Sequence, residues 1–356
     1  MTYPQQWFRG TWRLSLGMLV LLTFFAGNGC SRREEPAAQS PTPVKAQPLP
    51  RLTVGYQVSP AMALLMVAKD QNYYAAEGVE IELKEFTAGK FALQAFLGNS
   101  LDIAVSGEVP VTLATLQGNR FRVVAQVVER TTNEVRVVAR RDGSFTTPGR
   151  YFRARRRKLA TSFGGGPEFY TYNFLKKYGI QNDDVELISQ KPEDMPAAIA
   201  SGSVDAVSIF DPFARIAERR LGAQGITFED PALYSELYVV NVRDAALSSG
   251  KRGAIAAFLR ALKRAEAFIS SNPGAAKASV AKYTKLDAEI IEEIWPHFVF
   301  RVAMNDLFLT YTTAEAKWAV EKGTFPQGTP IPDFRAVLYP DLLRSIDSSA
   351  VSLDGK

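Results

Sequence analysis

Residues 101–110 read LDIAVSGEVP, from Leu101 to Pro110. Leu101 to Val105 is a short, almost wholly apolar run, the pattern of a strand covered on both faces. Ser106-Gly107-Glu108 follows at its carboxyl end, and residues 109–117 read as a helix. Ser106 and Glu108 suit a helix start. A strand that passes into a helix through such a turn puts small polar groups at the carboxyl end of the strand, where open α/β sheets hold ligands.

The same unit repeats outward from this stretch. Upstream, residues 52–56 (LTVGY) form a strand, 61–74 a helix, 79–86 (VEIELKEF) a half-exposed strand and 90–97 a helix that Gly98-Asn99-Ser100 ends. Downstream, 121–128 and 135–140 are strands. A second series begins with 158–161 and continues with a helix from Pro167 to about Tyr178, strand 185–189, helix 192–201 and strand 204–209. Strand 236–242 could return the chain to the first series, and from Arg252 onward the pattern is mainly helical. Strand, helix, strand in this rhythm predicts an α/β protein with parallel sheets covered by helices.

The chain has 356 residues, enough for two folded units, with 46% apolar and 22% charged residues, an ordinary globular composition. It holds 42 basic residues against 37 acidic, one His and one Cys. Eight of the basic residues lie at Arg9, Arg13 and between Arg150 and Lys158; without them 34 remain against 37 acidic. The body is mildly acidic and gives no footprint for nucleic acid. One Cys excludes an internal disulfide or a Cys-built metal site, and one His excludes a multi-His site. No metal or other cofactor is implied. Gly-x-Ser-x-Gly, His-Glu-x-x-His and paired catalytic carboxylate patterns are lacking, so no enzyme chemistry is expected.

At the N-terminus, Arg9 and Arg13 precede an uncharged, mainly apolar run of 13 residues, 14–26, too short to span a bilayer and suited to an export signal. Gly27-Asn28-Gly29-Cys30 comes next. Residues 31–50 contain five prolines and read as an extended linker. Ser162-Phe163-Gly164-Gly165-Gly166-Pro167 lies between a strand and a helix. Bare glycines there let backbone N–H groups approach a ligand, and a helix N-terminus favours an anion.

In order and spacing the chain resembles the periplasmic substrate-binding proteins of ABC transporters that serve aliphatic sulfonates, taurine and nitrate. The resemblance rests on Val54-Gly55-Tyr56-Gln57, Glu85 to Gly89, Gly98 to Asp102, Ser106 to Pro110, Ser162 to Gly166, Gly202 to Ala206, Phe210 to Phe213 and Ser271-Asn272-Pro273. It covers nearly everything from residue 51 and implies a two-lobe fold of the type 2 periplasmic-binding-protein kind, with lobe I at 51–140 and 238–356, lobe II at 141–237, and a ligand cleft between them. Cys30 resembles the acylated cysteine of a bacterial lipoprotein, which makes 1–29 a signal peptide, 30–50 a tether and the protein a membrane-anchored one at the periplasm or cell surface. The resemblance further implies a small-molecule ligand, an ABC permease and its ATPase. Relatives on this fold that make a menaquinone precursor or a thiamine pyrimidine, and a ligand-binding sensor, are the alternative readings.

The expected ligand contacts are Gln57, Gly89, Ser106, Gly107, Glu108, Glu129, Ser162, Gly164, Gly165, Gly166 and Asp211, with residues 90, 165 and 211 around one cleft. Gln57, Gly89 and Glu129 are placed there by the resemblance. Glu108, Glu129 and Asp211 would form a carboxylate-rich cleft, with only Arg130 nearby to pair them. That suits a taurine-like zwitterion and not plain nitrate. Arg150 to Lys158 is expected to be an exposed loop, and His297 to pack in a helical region.

Overall fold

The computed structural model describes residues 48–353 except 131, 133, 134 and 144. The expected signal segment, Cys30 and most of the expected linker lie outside the described residues. Strands are β1 (Arg51–Gln57), β2 (Glu80–Phe86), β3 (Ile103–Gly107), β4 (Arg122–Arg130), β5 (Val135–Arg140), β6 (Arg157–Thr161), β7 (Val185–Ser189), β8 (Ala206–Phe210), β9 (Gly225–Phe228), β10 (Glu236–Val242), β11 (Phe298–Asn305) and β12 (Val351–Ser352). They form two sheets inside one compact unit, Pro48–Lys356. The sheet of lobe I has the order β12-β11-β4-β10-β3-β1-β2, and the sheet of lobe II the order β7-β6-β8-β5-β9.

The sheets are mixed, which corrects the expectation of parallel ones. Strands β1, β2 and β3 run parallel, as do β6, β7 and β8. Strand β10 is antiparallel to both β3 and β4, and β5 is antiparallel to both β8 and β9. These four pairings are made where the chain changes lobes. It leaves lobe I between Arg130 and Val135 and returns between Phe228 and Glu236. Strand β5 therefore belongs to lobe II, and the expected boundary after Arg140 moves upstream of Val135. Strand β11 lies within the mainly helical C-terminal part, between helices, in a stretch that the sequence reading left unassigned.

Each sheet carries its own apolar core. Around the first sheet pack β1, β3, β4 and β10 with the Ala63–Asp70 and Lys251–Ser271 helices. The second core gathers Val137, Leu159, Phe174 and Ile209, but it also takes in Ala88, Val109, Trp318 and Ala319 from elements outside 141–237. Phe169 of the Gly166–Lys177 helix meets Trp318 edge-on at 5.2 Å and Tyr234, in the returning segment, at 5.7 Å. The two lobes thus share apolar contacts, and the Leu307–Glu321 helix spans them.

The basic run is not an exposed loop. Its first part ends the Pro148–Arg153 helix and its last part enters β6. Strand alternation turns Arg157 inward at 1% exposure. Its Nε donates to the Tyr151 carbonyl (3.0 Å), its Nη1 to Asp142 Oδ2 (2.7 Å), and its guanidinium lies 4.0 Å from the Tyr151 ring centre. Arg155 pairs with Asp205 at 2.5 Å. Replacing Arg157 by Ala should cost about 3 kcal/mol of unfolding free energy, because it empties a buried site and strands the remaining partners. Arg156→Ala, on an exposed side chain, should stay within about 0.5 kcal/mol. Urea denaturation of both variants checks the contrast.

Candidate ligand-binding cleft

The parallel strands of both lobes point their carboxyl ends at one small pocket. Gln57 ends β1, Gly107 ends β3, Phe210 ends β8, and Ser162 follows β6; all four line it, with Gly89, Lys90, Gly165, Gly166 and Glu236. The pocket is small, about 20 Å³, with room for roughly one water. The site lies where the sheet-end rule for α/β folds puts it.

Of the expected contacts, Gln57, Gly89, Gly107, Ser162, Gly165 and Gly166 meet at this pocket, as does residue 90. Gln57 is 3% exposed, and its Oε1 accepts the Gly89 N–H at 3.1 Å. Gly166 opens its helix beneath Tyr234, whose Oη would stand 2.4 Å from a Cβ at that position, so no larger residue fits without moving the ring. Gly164 takes the left-handed conformation at φ +80°, and its N–H is spent on Glu168 Oε2 at 2.7 Å, on the side away from the pocket. Glu168 also pairs with Lys322.

The three carboxylates expected to line the cleft do other work. Asp211 accepts from Arg136 Nη2 (2.8 Å), Arg136 Nη1 (3.0 Å) and Arg130 Nη2 (3.1 Å). This corrects the expectation that Arg130 alone is near. Burial pushes the Asp211 carboxyl up, but Arg136 and Arg130 outweigh it and hold the group below the usual range. Glu108 is fully buried, accepting from Tyr234 Oη (2.9 Å) and the Leu237 N–H (2.7 Å). Glu315, also fully buried, accepts from Thr112 Oγ1 at 2.7 Å, and the Glu108 charge acts on it. Ser106, fully buried, accepts from Asn241 Nδ2 at 3.2 Å. Glu129 is half-buried on β4 and does not line the pocket.

Sequence reasoning overlooked Glu236. It is 8% exposed and lines the pocket, and its Oε1 would lie 2.6 Å from a Cβ on Gly107, so the absence of a side chain at 107 admits the carboxylate. Within YSELYVV it reads only as part of a strand. Glu315 was missed too; a lone Glu in a helical run gives no signal. His297 lies 2.6 Å from Thr132 Oγ1 through Nδ1, beside the first crossing. Among the described residues no cluster of His, Cys, Asp and Glu could hold a metal ion, and no helix is long and apolar enough to cross a membrane.

Two α/β lobes whose strand ends face one polar pocket are the architecture of the periplasmic-binding-protein fold. The chain is 23% identical over 251 residues, 69% of its length, to the "Putative aliphatic sulfonates-binding protein" of Bacillus subtilis, of which 73% is covered. Its fold matches the alkanesulfonate-binding protein SsuA of Xanthomonas axonopodis pv. citri, solved with MOPS bound, at a TM-score of 0.67 and 20% identity, covering 83% of this chain and 99% of that one. It also matches the periplasmic nitrate-binding protein NrtA of Synechocystis PCC 6803 at a TM-score of 0.68 and 15% identity, covering 85% and 89%. The NMT1-like family matches residues 45–284, and the chain belongs to that family.

Two outcomes follow from the buried charges. Asp211→Ala leaves Arg130 and Arg136 facing a void and should destabilise the protein by about 3–5 kcal/mol in urea denaturation. Burial pushes Glu108 up to about 7 and Glu315 higher still, the Glu108 charge adding to burial. Between pH 4.5 and 7 the folded chain therefore keeps protons that the unfolded chain releases. The stability this pair contributes is complete at the acid end and is lost as pH rises through about 7. Glu315→Gln removes the more strongly raised carboxyl and keeps an acceptor for Thr112, so its urea midpoint should fall less than the native one between pH 5 and pH 8. Parallel profiles would contradict a raised Glu315.

Proposed function

We propose that the protein is the extracytoplasmic solute-binding component of an ABC importer, which captures a small sulfonate-, taurine- or nitrate-like compound between its lobes and delivers it to a membrane permease with its ATPase. One observation supports this most: strand ends of both lobes, Gln57 and Gly107 on one side and Ser162 and Phe210 on the other, meet at one polar pocket. A ligand there touches both lobes, so binding favours closure by its differential affinity for the closed form. The relatives described above are binding proteins by name, which favours capture over catalysis.

Cys30 is proposed as the acylated anchor and the proline-rich segment after it as the tether. At ~3.1 Å per residue, 20 residues in extended form reach about 60 Å from the membrane. Within the cleft, backbone N–H groups at a helix N-terminus suit an anionic end, and the Glu236 carboxylate suits an ammonium or N–H donor. A taurine-like zwitterion fits both ends, now through Glu236 rather than through Glu108, Glu129 and Asp211.

Isothermal titration with taurine, ethanesulfonate and nitrate tests the reading. Taurine is expected to bind, and Glu236→Gln to weaken taurine about tenfold while leaving ethanesulfonate nearly unchanged. Tight nitrate binding with no taurine signal would overturn the zwitterion reading.

A further inference from the structure

Lys90 is the second residue of the Gly89–Leu97 helix in lobe I, and its side chain crosses to lobe II. Its Nζ donates to Ser162 Oγ at 2.8 Å and to the Phe163 carbonyl at 2.5 Å. Both acceptors are neutral. Among the described residues no ion pair of this half-buried ammonium is found; of the two carboxylates whose charges reach it, Glu168 is held by Lys322 and the Gly164 N–H, and Glu193 stands beyond pairing distance. The buried guanidinium groups of Arg130, Arg136 and Arg157 contrast with it, since each faces a carboxylate. Taking a cation out of water toward neutral partners costs free energy that an anion beside it would recover.

A second, independent feature points into the same pocket. The Gln57 amide is 97% buried, being 3% exposed, and its Nε2 donates to nothing among the described residues. Its other end is fixed on the Gly89 N–H, so the amide cannot turn away without breaking that bond. The pocket is also lined by Gly165 and Gly166, whose amides open the Gly166–Lys177 helix, while Pro167 has no N–H to add.

We propose that Lys90 is the charge-reading clasp of the cleft: its ammonium and the Gln57 amide receive the anionic head of the ligand, while the same ammonium holds the glycine turn of the opposite lobe. Recognition of negative charge and fastening of the lobes then fall on one side chain. The proposal rests on the binding function above and adds to it the residue that selects anions over neutral isosteres. Lys90 is offered as a binding residue that touches the ligand directly. A Lys near a helix start, with neutral partners on another lobe, gives no such hint in the sequence.

The test is calorimetric titration of the native protein, Lys90→Gln, Lys90→Met and Lys90→Arg with ethanesulfonate and with its neutral isostere ethanesulfonamide. The native protein is expected to prefer the sulfonate by at least about tenfold, as a charge-assisted hydrogen bond provides. In both Lys90→Gln and Lys90→Met that ratio should collapse toward one, with most of the loss in sulfonate affinity; Lys90→Arg should keep part of it. A merely structural clasp would weaken both ligands equally and leave the ratio intact, which overturns the proposal. Native urea midpoints in the variants confirm that the fold is kept, and the Gln and Arg replacements guard against failure of any one variant. Binding of neither probe by the native protein would remove the sulfonate reading on which this proposal rests, whereas native binding with an unchanged ratio in the variants would remove only the role of Lys90.

Discussion

Asp211, held between Arg136 and Arg130, joins the two lobes where the chain first crosses. Arg130 is the last residue of β4 in lobe I; Arg136 and Asp211 belong to lobe II. The two-pronged Arg136 contact anchors the carboxylate within lobe II, and the single bond to Arg130 reaches across to lobe I. All of the charges in this cluster are buried, so breaking any contact leaves an unpaired charge. With that junction set, the carboxyl ends of β1, β3, β6 and β8 converge, and the pocket follows from their convergence.

The remaining buried charges divide by task. Burial pushes the Glu108 and Glu315 carboxyls up, and the Glu108 charge adds to the rise at Glu315. Thr112, bonded to Glu315, ties the Glu108–Leu116 helix to the Leu307–Glu321 helix, and Glu108 reaches the returning segment through Tyr234 and Leu237. Arg157 is answered by Asp142. What is left at the pocket itself is Lys90, with neutral partners, and the Glu236 carboxylate over Gly107. The site therefore offers one charge of each sign, while the charges that hold the scaffold are satisfied behind it. This division explains why carboxylates adjacent to the cleft in sequence make poor candidates for ligand contact: helix starts and crossings use them first.

The sequence made the parallel half of each sheet legible because covered strands are short, mainly apolar runs, as in residues 103–105 and 206–209. Strand β11 escaped because a register shift between Phe300 and Ala303 breaks its alternation, so that FVFRVAMN follows neither period. The lobe boundary was misplaced because residues 121–140 resemble a hairpin in one sheet; whether two neighbouring strands pair or part depends on distant partners. Composition marked Arg150 to Lys158 as solvated, yet the two-residue strand period takes Arg157 inside. The glycine turn and Gly107 could be placed at the pocket because bare glycines matter to close backbone approach, and Gln57 only through the family resemblance. Glu236 could not, since a strand pattern does not say which end reaches a cleft.

The most direct check is a crystal of the protein grown with taurine and measured for anomalous scattering from sulfur. A sulfur peak within hydrogen-bonding reach, through its oxygens, of Lys90 Nζ and the amides of Gly165 and Gly166 is the expected result, with the ligand nitrogen toward Glu236. A sulfur peak elsewhere on the molecule, or a ligand bound in the cleft with its sulfonate turned away from Lys90, would contradict the arrangement.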